Sequence, residues 1–237
     1  MARYAGHGYT MLARSRDDIC QSRIGAGDAM SGVRARHPGL NLGETDAATH
    51  AQAGHDVFGF WIFLMSDAVI FALLFATYGV MLAGTAGGPG PADAYKILPA
   101  LIETVVLLTS SLTFGMASVT MKHGNSVRPL MVWLAMTLAF GLIFLAMEFH
   151  DFATMIAEGA APSRSGFLSS FFALISLHGL HVVAGCLWIM VMLVQLRVFG
   201  PVARVKINMM RLGLFWHFLD IVWIAIFSLV YLQGLAR

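Results

Sequence analysis

The chain has 237 residues, of which 58% are hydrophobic and only 12% charged, and its mean hydropathy of +0.74 lies far outside the range of soluble globular domains. Bulk water is thereby excluded as its main solvent, and a net charge of +2 gives no footing for a nucleic-acid surface. A bilayer core about 30 Å thick takes roughly 20 apolar residues per helix, so this length holds five or six spans.

Residues 1–56 are rich in Gly, Ala, Arg and Asp with few large apolar side chains, a composition that buries too little surface to offset chain entropy. They are expected to form a polar, disordered tail, and residues 57–237 a transmembrane domain. The tail has no continuous apolar stretch, so the first span is expected to act as its own insertion signal. Cys20 in the tail and Cys186 in an apolar run occupy environments too different for a disulfide, and no C-x-x-C spacing occurs.

Five apolar runs follow, at roughly 57–83, 97–121, 129–149, 167–196 and 210–234, interrupted only by the acids Asp67, Glu103, Glu148 and Asp220. The Gly/Pro loop GTAGGPGPADAYK separates the first two, and it cannot continue a helix. Pro129 falls in the first turn of the third helix, where its missing N–H is harmless. An all-α bundle of five transmembrane helices is the simplest reading. Alternating the spans puts Lys122, Arg128, Arg197, Arg204, Lys206, Arg211 and the six arginines of the tail on one side, against Lys96, Arg164 and Arg237 on the other. Cytoplasmic loops carry the basic excess, so the N-terminus is expected in the cytoplasm and the C-terminus in the periplasm. Ala68, Ala72 and Ala76, and likewise Ser111, Gly115 and Ser118, recur at the spacing that lets helices approach closely, and are expected to form seams.

Ionisable groups inside a bilayer are costly and each needs a partner or water. Asp67 sits about ten residues into its span, roughly 15 Å deep, where a neutral carboxyl costs far less than a charged one. His178 and His181, in HGLH, are three apart and share a helix face. His181 and Asp220 fall at equal depth on consecutive antiparallel helices, which predicts that they satisfy each other with His217 about one turn away. A hydrogen-bonded structural cluster, a haem held by two histidines and a proton relay are the alternatives for this group. Glu103 and Glu148, with His150 and Asp151, lie nearer the far interface, where the simplest reading is a solvated helix end.

The segments FGFWIFLMSDAVIFALLFATYGV, ETVVLLTSSLTFGMA, RSGFLSSFFALISLHGLHVVAGCLW and LFWHFLDIVWIAIFSLVYLQG resemble subunit III of the haem-copper terminal oxidases. HGLHV followed about thirty residues later by WHFLDIVW is the most specific part of the match, and the five-helix form of bacterial bo-type ubiquinol oxidases is the nearest pattern. The seven-helix form common in cytochrome c oxidases has two further helices before FGFWIFL, and residues 1–56 cannot replace them. The resemblance implies a bacterial inner-membrane subunit with no haem, copper or catalytic centre of its own. It would pack on subunit I, which carries the haems and copper, beside subunits II and IV and bound phospholipid. The complex would oxidise ubiquinol, reduce oxygen to water and move protons outward. Asp67 falls where the family places its embedded carboxylate, commonly Glu in cytochrome c oxidases, and is expected to support proton delivery without being required for oxygen reduction. The alternatives are the same role in a cytochrome c oxidase and, from another class, a stand-alone proton or ion transporter, for which the polar groups are too few to cross the membrane.

Overall fold

A backbone in hydrocarbon has no solvent to bond with and must satisfy its amides within its own segment, and each apolar run accordingly forms one continuous helix. The computed structural model describes residues 47–87, 97–123 and 127–232, which lie in one unit, Leu42–Arg237. In chain order the helices are α1 (Ala47–Met81), α2 (Ile97–His123), α3 (Val127–Ala157), α4 (Gly166–Phe199) and α5 (Ala203–Ile226). A short 3-10 turn, Pro162–Arg164, precedes α4, and a π-helical turn, Phe227–Leu232, continues α5. All five helices are long and apolar enough to cross a membrane, and no strand occurs among the described residues. The chain is thus an all-helical, multi-pass protein. Residues 1–46, most of the expected disordered tail, lie outside the described residues, as do 88–96 of the Gly/Pro loop.

Local chemistry sets the helix ends. Ser165 caps α4, its hydroxyl accepting the Leu168 N–H at 3.2 Å, which satisfies one orphan donor of the first turn. α1 begins at Ala47, upstream of the apolar run, so the helix reaches into the segment assigned to the tail.

α2 and α3 form an antiparallel hairpin, α3, α4 and α5 follow in order, and α2 closes on α5. α1 packs on α4 and α5. Its antiparallel course along α4 is fixed at both ends, by Tyr78 against Phe167 with ring centroids 6.0 Å apart and by Phe60 against Trp188 at 5.6 Å. Asp56, early in α1, meets Arg211, early in α5, at 3.3 Å, so these two helices start from the same side.

The fifth span is the most buried and the first the least. Trp216 anchors the centre: a Cβ at Gly185 would stand 2.8 Å from its Cζ3, and one at Gly141 2.9 Å from its Cη2, so both positions need glycine for the indole to fit. Its Nε1–H donates to Ser110 Oγ at 3.1 Å, and two turns on, Trp223 Nε1–H donates to Thr104 Oγ1 at 3.0 Å. These bonds stitch α5 to α2 where an unpaired indole N–H would be expensive. Ser110 in turn donates to the Thr137 carbonyl at 3.3 Å, and the Thr113 and Thr137 hydroxyls lie 2.9 Å apart, which brings in α3.

The expected seam on α1 differs. Ala72 and Ala76 are exposed, and the buried stripe is Leu64, Phe71 and Tyr78, spaced by seven residues. Large side chains fill the wedge between α4 and α5, where small ones would leave a void.

Candidate functional site

The polar groups form separate sites, each built by a different pair of helices. Asp67 on α1 meets His181 on α4, with Oδ2 3.6 Å from Nε2 and side-chain exposures of 13% and 20%. His181 Nδ1 lies 2.7 Å from the Leu177 carbonyl. A carbonyl only accepts, so Nδ1 carries a proton, and Nε2 faces the carboxyl either as a bare acceptor or as a second N–H. One proton is therefore required to close the contact, on the carboxyl or on the imidazole. Phe71 lies 5.3 Å from the His181 ring and Phe215 6.3 Å, which holds the imidazole in place.

The expected pairing of His181 with Asp220 is replaced by this contact. Equal depth fixes height along a helix but not direction around it, and α1 occupies the flank that His181 faces. Asp220 instead approaches His217, with Oδ2 3.5 Å from Nδ1, and the same nitrogen stands 2.9 Å from Ser111 Oγ on α2. Asp220 is buried while the His217 side chain is 49% exposed. Ser111, read from the sequence only as a packing residue, is thus a polar partner.

His178 is fully buried. Phe144 and Trp223 surround its ring at centroid distances of 5.9 and 5.2 Å, and Phe71 at 6.5 Å. Neither of its nitrogens has a hydrogen-bond partner among the described residues. His178 is thus enclosed by aromatic rings, and His181 is engaged by Asp67 and the Leu177 carbonyl. Among the described residues, no group of three His, Cys, Asp or Glu side chains could hold a metal ion.

Glu103 and Glu148 depart most from expectation. Both are buried, at 2% and 5% exposure, whereas His150 and Asp151 are the solvated members of that end, 3.6 Å apart. Glu148 turns inward onto Gly179, where a Cβ would stand 2.9 Å from Oε1, and the π turn brings Tyr231 to the cavity that both acids line. Gly179, between the two histidines of HGLH, was the available sequence signal, because a glycine there opens the helix surface to a neighbour's polar side chain.

A model of the cytochrome c oxidase subunit III family matches residues 43–235. The chain belongs to that family. Among its subunit III relatives, the cytochrome bo(3) ubiquinol oxidase subunit 3 of Pseudomonas aeruginosa is 47% identical over 193 residues, covering 81% of this chain and 92% of that protein. The quinol oxidase subunit 3 of Bacillus subtilis is 42% identical over 180 residues, covering 76% and 88%. The cytochrome c oxidase subunit 3 of Alkalihalophilus pseudofirmus is 40% identical over 177 residues, covering 74% and 85%. The chain is accordingly a multi-pass bacterial membrane protein, subunit III of a terminal oxidase, and partnership with other subunits follows from that membership.

Proposed function

We propose that this subunit III serves a proton-pumping ubiquinol oxidase, without a catalytic centre of its own, and that Asp67 with His181 is its functional pair. The contact that needs one proton to close, halfway along the least buried span, is the observation that carries the reading. A carboxyl and an imidazole that share one proton can pass it between them without redox chemistry, which suits support of proton uptake by subunit I. The relatives named ubiquinol or quinol oxidase subunit 3 favour quinol as the donor. A cytochrome c donor is the second reading, on the strength of the 40% identical cytochrome c oxidase subunit 3. In this proposal the haems and copper belong to subunit I, on which the five helices pack together with phospholipid. Subunits II and IV complete the inner-membrane assembly, with the N-terminus cytoplasmic.

The complex purified through a tag on this chain should reduce oxygen with ubiquinol and not with reduced cytochrome c. In reconstituted vesicles Asp67→Asn should assemble and respire normally at first, yet pump fewer protons per electron or lose activity over many turnovers. Parent-like pumping and working life in the Asn variant would reject the protonic role, and turnover with cytochrome c would reject the quinol donor.

A further inference from the structure

At the end of the bundle reached by the end of α3, a cavity of about 50 Å³ is lined by Glu103 of α2, Glu148, Asp151 and Glu158 of α3, and Tyr231 of the π turn, with no Lys or Arg among the described residues of its wall. Phe171 and Ile175 close its inner side. The two deepest acids are more than nine-tenths buried, and both oxygens of Glu148 and Oε1 of Glu103 have no hydrogen-bond partner among the described residues. A buried oxygen left without a donor costs about 1–3 kcal/mol, and native proteins meet such demands with internal water wherever the site is polar and large enough. A water needs roughly 10–15 Å³ of such space, so about three to five fit. Arg164 donates to the Gly159 carbonyl at 3.0 Å and is not among the lining residues.

We propose that this cavity is a water-binding inlet, cation-selective by its charge, in which internal waters donate to Glu148 and Glu103. Its ligand is water and, through it, small hydrated cations and protons from the adjoining aqueous phase. Asp151 at the mouth, with no Lys or Arg among the described lining residues, gives the cavity a negative field that concentrates cations there. With no group of three His, Cys, Asp or Glu side chains among the described residues able to hold a metal ion, a directly coordinated metal is not part of the proposal. The site shares no residue with Asp67–His181 and stands or falls independently of that pair.

The experiment uses the complete oxidase complex in nanodiscs. In a chain carrying Cys20→Ser and Cys186→Ala, single Glu103→Cys and Glu148→Cys variants are treated with small methanethiosulfonates, and modification is read as the mass shift of this subunit. The cationic reagent should react at both positions at least about ten-fold faster than the anionic one. Asp151→Cys should react as the mouth control, and Ser110→Cys, from the dry core, should not. Unreactive 103 and 148 beside a reactive 151 would overturn the inlet, and equal rates for the two reagents would overturn its selectivity. The unmodified sequence gives an independent reading by hydroxyl-radical footprinting, which oxidises side chains next to internal water. Phe171, 1% exposed and in the cavity wall, should be oxidised severalfold more than Phe114, 0% exposed and outside it. Equal oxidation of the two rings would count against hydration.

Discussion

Asp67 Oδ2 stands 3.6 Å from His181 Nε2, and the opposite nitrogen of the same imidazole is taken up by the Leu177 carbonyl. The contact joins the least buried helix to the bundle, halfway along its span. Removing either partner leaves the other without its match in an apolar setting. A double-mutant cycle of Asp67→Asn and His181→Gln, read by denaturation in mixed micelles, should give a coupling of about 0.5–2 kcal/mol, the range found for polar pairs between transmembrane helices. Additive effects would show that the two side chains do not act as a pair.

The Trp216 indole occupies the room that Gly185 and Gly141 leave. Gly185→Ala should destabilise the subunit by about 1–3 kcal/mol through overpacking. A second change, Trp216→Phe, should recover part of that loss although it also gives up the bond to Ser110. If the double variant is less stable than the sum of the two single losses, steric contact with the indole is not the cause.

Asp220 and His217 do not depend on each other alone. His217 keeps Ser111 at 2.9 Å and is half exposed, while neither oxygen of Asp220 has a hydrogen-bond partner among the described residues. A buried carboxyl with no compensating hydrogen bond carries its desolvation cost uncompensated, and an apolar replacement removes that cost. Asp220→Leu should therefore change stability by less than about 1 kcal/mol, whereas Ser110→Ala, which strands the Trp216 N–H, should cost about 1–3 kcal/mol. Quantitative western blots of assembled complex, with unfolding midpoints, would reveal the reverse order if the carboxyl is structural.

Orientation follows from charge. Alkaline phosphatase fused after the last residue should be active and a fusion at position 124 inactive, because six of the nine basic residues outside the tail lie on the side of the Lys122 loop. The opposite activities would invert the topology.

The number and extent of the spans were legible because hydrocarbon leaves a hydrophobic backbone few options, and the runs at 97–121 and 167–196 match α2 and α4 within a few residues. The partners of the polar groups were not. Depth can be counted along a sequence, but which neighbour a side chain faces depends on where every helix stands, and α1 sits beside α4 and α5 and not simply beside its sequence neighbour. That one placement moved His181 from Asp220 to Asp67. The burial of Glu103 and Glu148 was hidden for a similar reason, since it depends on Gly179 opening one helix and on Tyr231 arriving from the far end of the chain. On α1, the heptad of Leu64, Phe71 and Tyr78 was the better indicator of the buried face than the alanines beside it.

The position of α1 also has a consequence in time. Its packing surfaces on α4 and α5 are synthesised long after it enters the membrane: His181 follows Asp67 by roughly 110 residues, or about 6–20 s at ordinary elongation rates. Throughout that interval the carboxyl of Asp67 waits in or near the bilayer without its imidazole, so the first helix inserted is among the last to find its place.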